Sequence, residues 1–149
     1  MARRTPPIED YLAIVQLKHE YCYRIDDRDY DAWVDLFTED GTFGIEGVET
    51  FEGREEVRRF AHDVFEDEYA YTAHIVTNPR IEVDGDEADG RWYLYLPFTG
   101  TDGSTGWTQS RYADTYRKVD GEWKVASAIV TRQASERRDH SGVEPTVAP

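Results

Sequence analysis

Residues 71–83 read YTAHIVTNPRIEV, and the reading of this stretch decides the fold. Its β-branched and aromatic residues, closed by Asp84-Gly85-Asp86, predict a strand. The segments after it share that character. Residues 91–98 place Trp92, Leu94, Leu96 and Phe98 on one face by the strand period of two. The turn cluster Gly100 to Gly103 then leads into strands at residues 106–119 and 122–133. Asp120-Gly121 joins those two, the dipeptide that favours a tight hairpin.

Upstream the period lengthens. Ile8, Tyr11, Leu12, Ile14, Val15, Tyr21, Cys22 and Ile25 recur at intervals of three and four, which predicts a helix over residues 8–25. Trp33, Val34, Leu36 and Phe37 mark a second, short helix, followed by a turn at Asp40-Gly41 and a short strand at residues 42–45. A third helix is expected over residues 54–65, with Val57, Phe60, Ala61 and Val64 on its buried side. Helices first and antiparallel strands second is the α+β pattern. At 149 residues the chain can bury one core but not two. The expectation is one domain over residues 8–133, with a flexible arm at 1–7 and a disordered tail at 134–149. A curved sheet wrapped against helices leaves a concave interior suited to a small molecule.

Composition narrows the function classes. The chain has 31 acidic and 17 basic residues and a net charge of -14, and its only lysines are Lys18, Lys118 and Lys124. Without a basic stripe to displace counterions, a nucleic-acid partner is not expected. Self-repulsion of this size suits a salt-adapted source, because the Debye length falls to about 3 Å near 1 M salt. The single cysteine, Cys22, leaves no CxxC motif and no intrachain disulfide, and no metal-ligand spacing is present. MARRTPP has no apolar segment behind its basic residues and no run reaches membrane-spanning length, so a cytoplasmic protein without a membrane partner is expected.

Four histidines are candidates for chemistry. His19, His62 and His140 sit in charged surroundings and read as solvated. His74 shares a strand face with Thr72 and Val76, and neither face of its strand is plainly polar. Such an imidazole is either a hydrogen-bonded core residue or a working acid/base. Asp26 is its natural partner, since it follows the apolar stripe of the long helix and can share the face of Cys22. Asp27, Asp29 and Asp31 read as solvated loop.

The run YCYRIDDRDYDAWVDLFTEDGTF, the Gly53-Arg54 helix start, HIVTNPRIEV and DGEWKV together resemble the SnoaL-like branch of the NTF2-like superfamily, over about residues 8–133. Within it the chain is most similar to the group of scytalone dehydratase, hexachlorocyclohexane dehydrochlorinase and bile-acid 7α-dehydratase. That resemblance implies a cone-shaped α+β barrel around a pocket and a His–Asp dyad needing no cofactor. It also implies a homodimer or homotrimer formed through the outer sheet face, where Arg91, Tyr93 and Tyr95 lie. Asp26 and His74 fall on the dyad positions, and Tyr21 matches the catalytic tyrosine of the bile-acid enzyme. By resemblance Phe43, Phe65, Tyr69, Trp92, Leu94, Leu96 and Tyr112 line the substrate pocket. Two features depart from the pattern. The dehydrochlorinase has lysine at the Tyr21 position, and Ala128 stands where some members carry a pocket arginine, with Arg132 two same-face steps further on. The resemblance implies a dehydratase-like lyase acting on a small apolar, cyclic substrate. An isomerase using the same base, a non-catalytic ligand binder and the small subunit of a ring-hydroxylating oxygenase are the alternatives.

Overall fold

A computed structural model describes residues 5–140. Helix α1 (Ile8–Asp26) and short α2 (Tyr30–Val34) precede β1 (Phe37–Ile45) and β2 (Glu49–Glu52). Next come α3 (Arg54–Arg59), a π-helical segment (Phe60–Phe65) and α4 (Glu66–Glu68). Five strands complete the chain: β3 (Tyr69–Thr72), β4 (Ile75–Asp84), β5 (Glu87–Gly100), β6 (Thr105–Val119) and β7 (Glu122–Arg138). They form one seven-stranded sheet in the order β2-β1-β7-β6-β5-β3, with β4 also paired to β5. Only β1 and β7 pair in parallel. The sheet curves over α1 without closing, so the expected α+β architecture holds while the barrel stays open.

Strand β5 realises its predicted alternation, burying Trp92, Leu94, Leu96 and Phe98. The β6–β7 hairpin turns at Asp120 (φ 51°) and Gly121 (φ 82°), two left-handed residues whose twist matches that of the flanking strands. The 71–83 stretch is nearly the single strand expected. Its register against β5 runs unbroken from Thr72↔Phe98 to Ile75↔Tyr95. The ladder lapses at Ala73 and His74 because Ala73 N–H donates to Pro97 O and Pro97 has no N–H to return. Further on, Asn78 (φ 59°) bulges the strand and switches its inward positions from Thr72, His74 and Val76 to Ile81 and Val83.

Several expectations need correction. Phe37 and Asp40-Gly41 belong to β1 rather than to the second helix and a turn, because β7 pairs with this segment from Phe37↔Val125 onward, and Val64 is exposed rather than buried. The buried stripe of α1 is Ile14, Leu17, Lys18, Tyr21, Cys22 and Ile25, whereas Ile8 and Leu12 are exposed, because the sheet covers only the C-terminal two-thirds of the helix. The third helix does not run regularly to Phe65 but widens to π geometry from Phe60. The tail expected from residue 134 is in part ordered. Strand β7 continues to Arg138 because β6 offers partners as far as Thr105↔Arg138. The remainder of that tail beyond residue 140, and residues 1–4 of the arm, lie outside the described residues.

Candidate functional site

Asp26 is the last residue of α1, where a carboxylate opposes the negative end of the helix dipole. Three hydrogen bonds offset that position. Thr72 Oγ1 donates to Asp26 Oδ1 at 2.8 Å, and His74 N–H donates to Oδ2 at 2.7 Å. His74 Nδ1 lies 2.6 Å from Oδ1. Local geometry explains the supply of donors. β3 and β4 form a sheet edge, so the His74 amide has no strand partner and turns to the carboxylate instead. An ionised Asp26 can only accept, so Nδ1 carries a proton, and in the neutral imidazole Nε2 is then the nitrogen with the free lone pair.

His74 lines a cavity of about 230 Å³. Its ring is nearly covered, with 8 % of the side chain exposed. Asp26 is absent from the lining, so the imidazole stands between the carboxylate and the cavity. The walls include Phe43, Phe65, Tyr69, Leu94, Leu96 and Tyr112, six of the seven residues expected there. Trp92 is the exception. Its indole Nε1 donates to Tyr116 OH at 3.0 Å, which holds the ring in the core below the cavity. The inward face of β5 passes from cavity wall to core between Leu94 and Trp92, a depth that strand periodicity does not encode. Trp33, Phe60 and Val130 add apolar wall that had not been expected.

Tyr21 lines the cavity floor and is 1 % exposed. Its ring meets that of Tyr112 edge-on at 5.8 Å. Burial raises both phenols well above the usual tyrosine range, so each is a proton-bearing donor. Beneath them lies an ion pair. Lys18 Nζ is 2.8 Å from Asp114 Oδ2, both side chains being fully buried. The ammonium stands 3.3 Å from the centroid of the Tyr112 ring and 4.2 Å from that of Tyr21. Tyr116 OH donates to the same Asp114 oxygen at 2.7 Å, while Asp114 Oδ1 is left without a hydrogen-bond partner.

Local periodicity does not single out this layer, although β6 carries one signal for it. Thr108, Ser110, Tyr112, Asp114 and Tyr116 occupy successive alternate positions of β6, and all five are buried. Arg132 also lines the cavity, directly across from Ser110 in the β6–β7 register.

The chain is thus an α+β protein in which an open, helix-backed curved sheet holds a hydrogen-bonded His–Asp pair at an apolar cavity. The chain belongs to the SnoaL-like domain family, whose model matches residues 6–129. A protein from Novosphingobium aromaticivorans, named as a candidate aromatic ring hydroxylase, is 30% identical with a TM-score of 0.83 over 90% of this chain and 96% of that one. A hexachlorocyclohexane dehydrochlorinase of the second type superposes with a TM-score of 0.83 at 23% identity, covering 95% of each chain. An uncharacterized Mycobacterium tuberculosis protein is 27% identical over 128 residues, 84% of this chain and 86% of its own.

Proposed function

We propose that the protein is a cofactor-independent, dehydratase-like lyase acting on a small, largely apolar cyclic substrate. His74 Nε2 takes a proton from a substrate carbon acidified by a neighbouring carbonyl. The released electron pair forms a carbon–carbon double bond, and the hydroxyl on the adjacent carbon departs as water by taking the proton that His74 received, which returns the imidazole to its neutral form. Asp26 holds the imidazole in the tautomer that leaves Nε2 free, and it stabilises the imidazolium as it forms. Tyr21, with Tyr112 beside it, donates a hydrogen bond to the carbonyl or to the departing hydroxyl.

The observation that supports this reading most is the 2.6 Å contact between His74 Nδ1 and Asp26 Oδ1 at the wall of an apolar cavity. A core histidine needs a hydrogen-bond partner but has no need of a cavity at its other nitrogen. Two neighbours are named for ring compounds, an aromatic ring and hexachlorocyclohexane, in keeping with a cyclic substrate. At about 230 Å³ the cavity lies below the ~300–1,000 Å³ of drug-sized ligand sites, which suits one or two rings.

The test is a panel of one- and two-ring hydroxy-ketones, followed by absorbance of the conjugated product and by proton NMR. Turnover should fall about 10²–10⁴-fold in His74→Ala and Asp26→Asn. Turnover unchanged in His74→Ala would rule out the mechanism. A double bond that migrates without loss of water would assign isomerase chemistry to the same base. Binding without turnover across the panel would favour a ligand-binding or structural role. For assembly we assign a homodimer or homotrimer contact to the outer sheet face, where Tyr93 and Tyr95 are 44 % and 45 % exposed beside Arg91 and Arg111.

A further inference from the structure

We propose that the substrate carries one anionic group of the carboxylate class, and that Arg132 at the rim of the cavity binds it. The inference rests on the reading that this cavity is the substrate site, and it concerns recognition rather than the reacting end.

Among the described residues Arg132 is the one lysine or arginine that lines the cavity. Arg28 pairs with Glu66, Arg59 with Glu49 and Glu56, Arg117 with Asp40, and Lys118 with Asp10. Arg132 lines the cavity and forms no ion pair among the described residues. Two carboxylates share its rim groove, Glu68 also lining the cavity itself, and both are engaged by other arginines. Glu68 binds Arg137 at 2.5 Å, and Glu136 binds Arg138 at 2.5 Å. In a chain of net charge -14, an arginine left without a carboxylate at a cavity is a site for an incoming one. Ser110 and Thr108, inward-facing on β6, add neutral hydroxyl donors on the same wall.

Depth orders the cavity. Tyr21 and Tyr112 are buried at its floor, whereas Arg132 is exposed at its rim, with Leu94, Leu96 and Val130 contributing apolar wall. A substrate with an apolar ring body and a single carboxylate places the charge at Arg132 and its body toward His74. The overall negative charge repels anions from the surface, so any preference for one has to arise from local pairing.

The test compares trans-cinnamate with cinnamamide, two probes of nearly the same shape that differ in charge, by isothermal titration calorimetry on the full chain. Wild type should bind cinnamate about fivefold more tightly, the upper end for an ion pair at an exposed arginine. Arg132→Gln should bring the two affinities within about twofold, chiefly by weakening cinnamate, and Arg132→Lys should keep part of the preference. His74→Gln should retain the preference, which separates failure of this proposal from failure of the general-base reading. Equal affinities in wild type, no binding of either probe, or a preference that survives Arg132→Gln would each overturn it.

Discussion

Asp26→Asn isolates what the carboxylate contributes, because it keeps the shape and changes one acceptor into a donor. Asp26 Oδ1 accepts from Thr72 Oγ1 and faces His74 Nδ1, while Oδ2 accepts the His74 amide. The amide N–H of His74 cannot turn, so the asparagine oxygen must take the Oδ2 place and its NH2 the Oδ1 place. Thr72 can rotate its hydroxyl to accept. The imidazole has one remedy, which is to move its proton from Nδ1 to Nε2 and accept at Nδ1. Stability should fall by about 1–3 kcal/mol, the span for losing a charge-assisted hydrogen bond while the partners stay paired. The fold should survive, yet the nitrogen at the cavity would carry a proton and could no longer take one. Nitrogen-15 NMR of the neutral imidazole ring reads the tautomer directly and needs no substrate. Wild type should show Nδ1–H and the variant Nε2–H. An Nε2–H tautomer in wild type, or an unchanged tautomer in the variant, would refute the assigned role of Asp26.

Lys18→Met should cost about 3–5 kcal/mol in urea unfolding by stranding Asp114 as a buried lone charge, whereas the double change Lys18→Met/Asp114→Leu should recover most of that loss. On the alkaline side, burial pushes the Cys22 thiol from 9.0 up to about 12 and, with it, the Tyr30 phenol from 10.0 up to about 12. The unfolded chain therefore releases these protons first, so stability is fully present below pH 9 and declines as pH rises toward 12, which thermal melts across that range should reveal. The same burial should keep native Cys22 unreactive to a thiol-disulfide reagent at pH 8 until the chain is unfolded. Tyr93→Glu with Tyr95→Glu should reduce the mass measured by light scattering to that of one chain, and an unchanged multimer would exclude the outer sheet face as the contact.

Much of the fold was legible because local periodicity carries it. The inward residues of β5, the Asp120-Gly121 turn and the helix over 8–25 each follow from spacing and turn chemistry within one segment. The extension of β7 to Arg138 was not legible, since SERR is polar and its order comes from β6 alongside it. Lys18 was likewise passed over. On a helical wheel it adjoins Tyr21 and Cys22, but only Asp114, ninety-six positions later, makes its burial tolerable.

Sequence alone placed His74 in an extended run of the sheet and Asp26 at the end of a helix, and made the two natural partners. Periodicity and chain chemistry act over a few residues and leave their trace in the order of side chains. Tertiary structure decided the rest: that Pro97 and the sheet edge turn the His74 amide toward Asp26, that Trp92 falls below the cavity while Leu94 lines it, and that Arg132 reaches the rim unpaired. Those outcomes depend on strand register, sheet curvature and burial depth. These are properties of how distant segments meet, and no single stretch of the chain contains them.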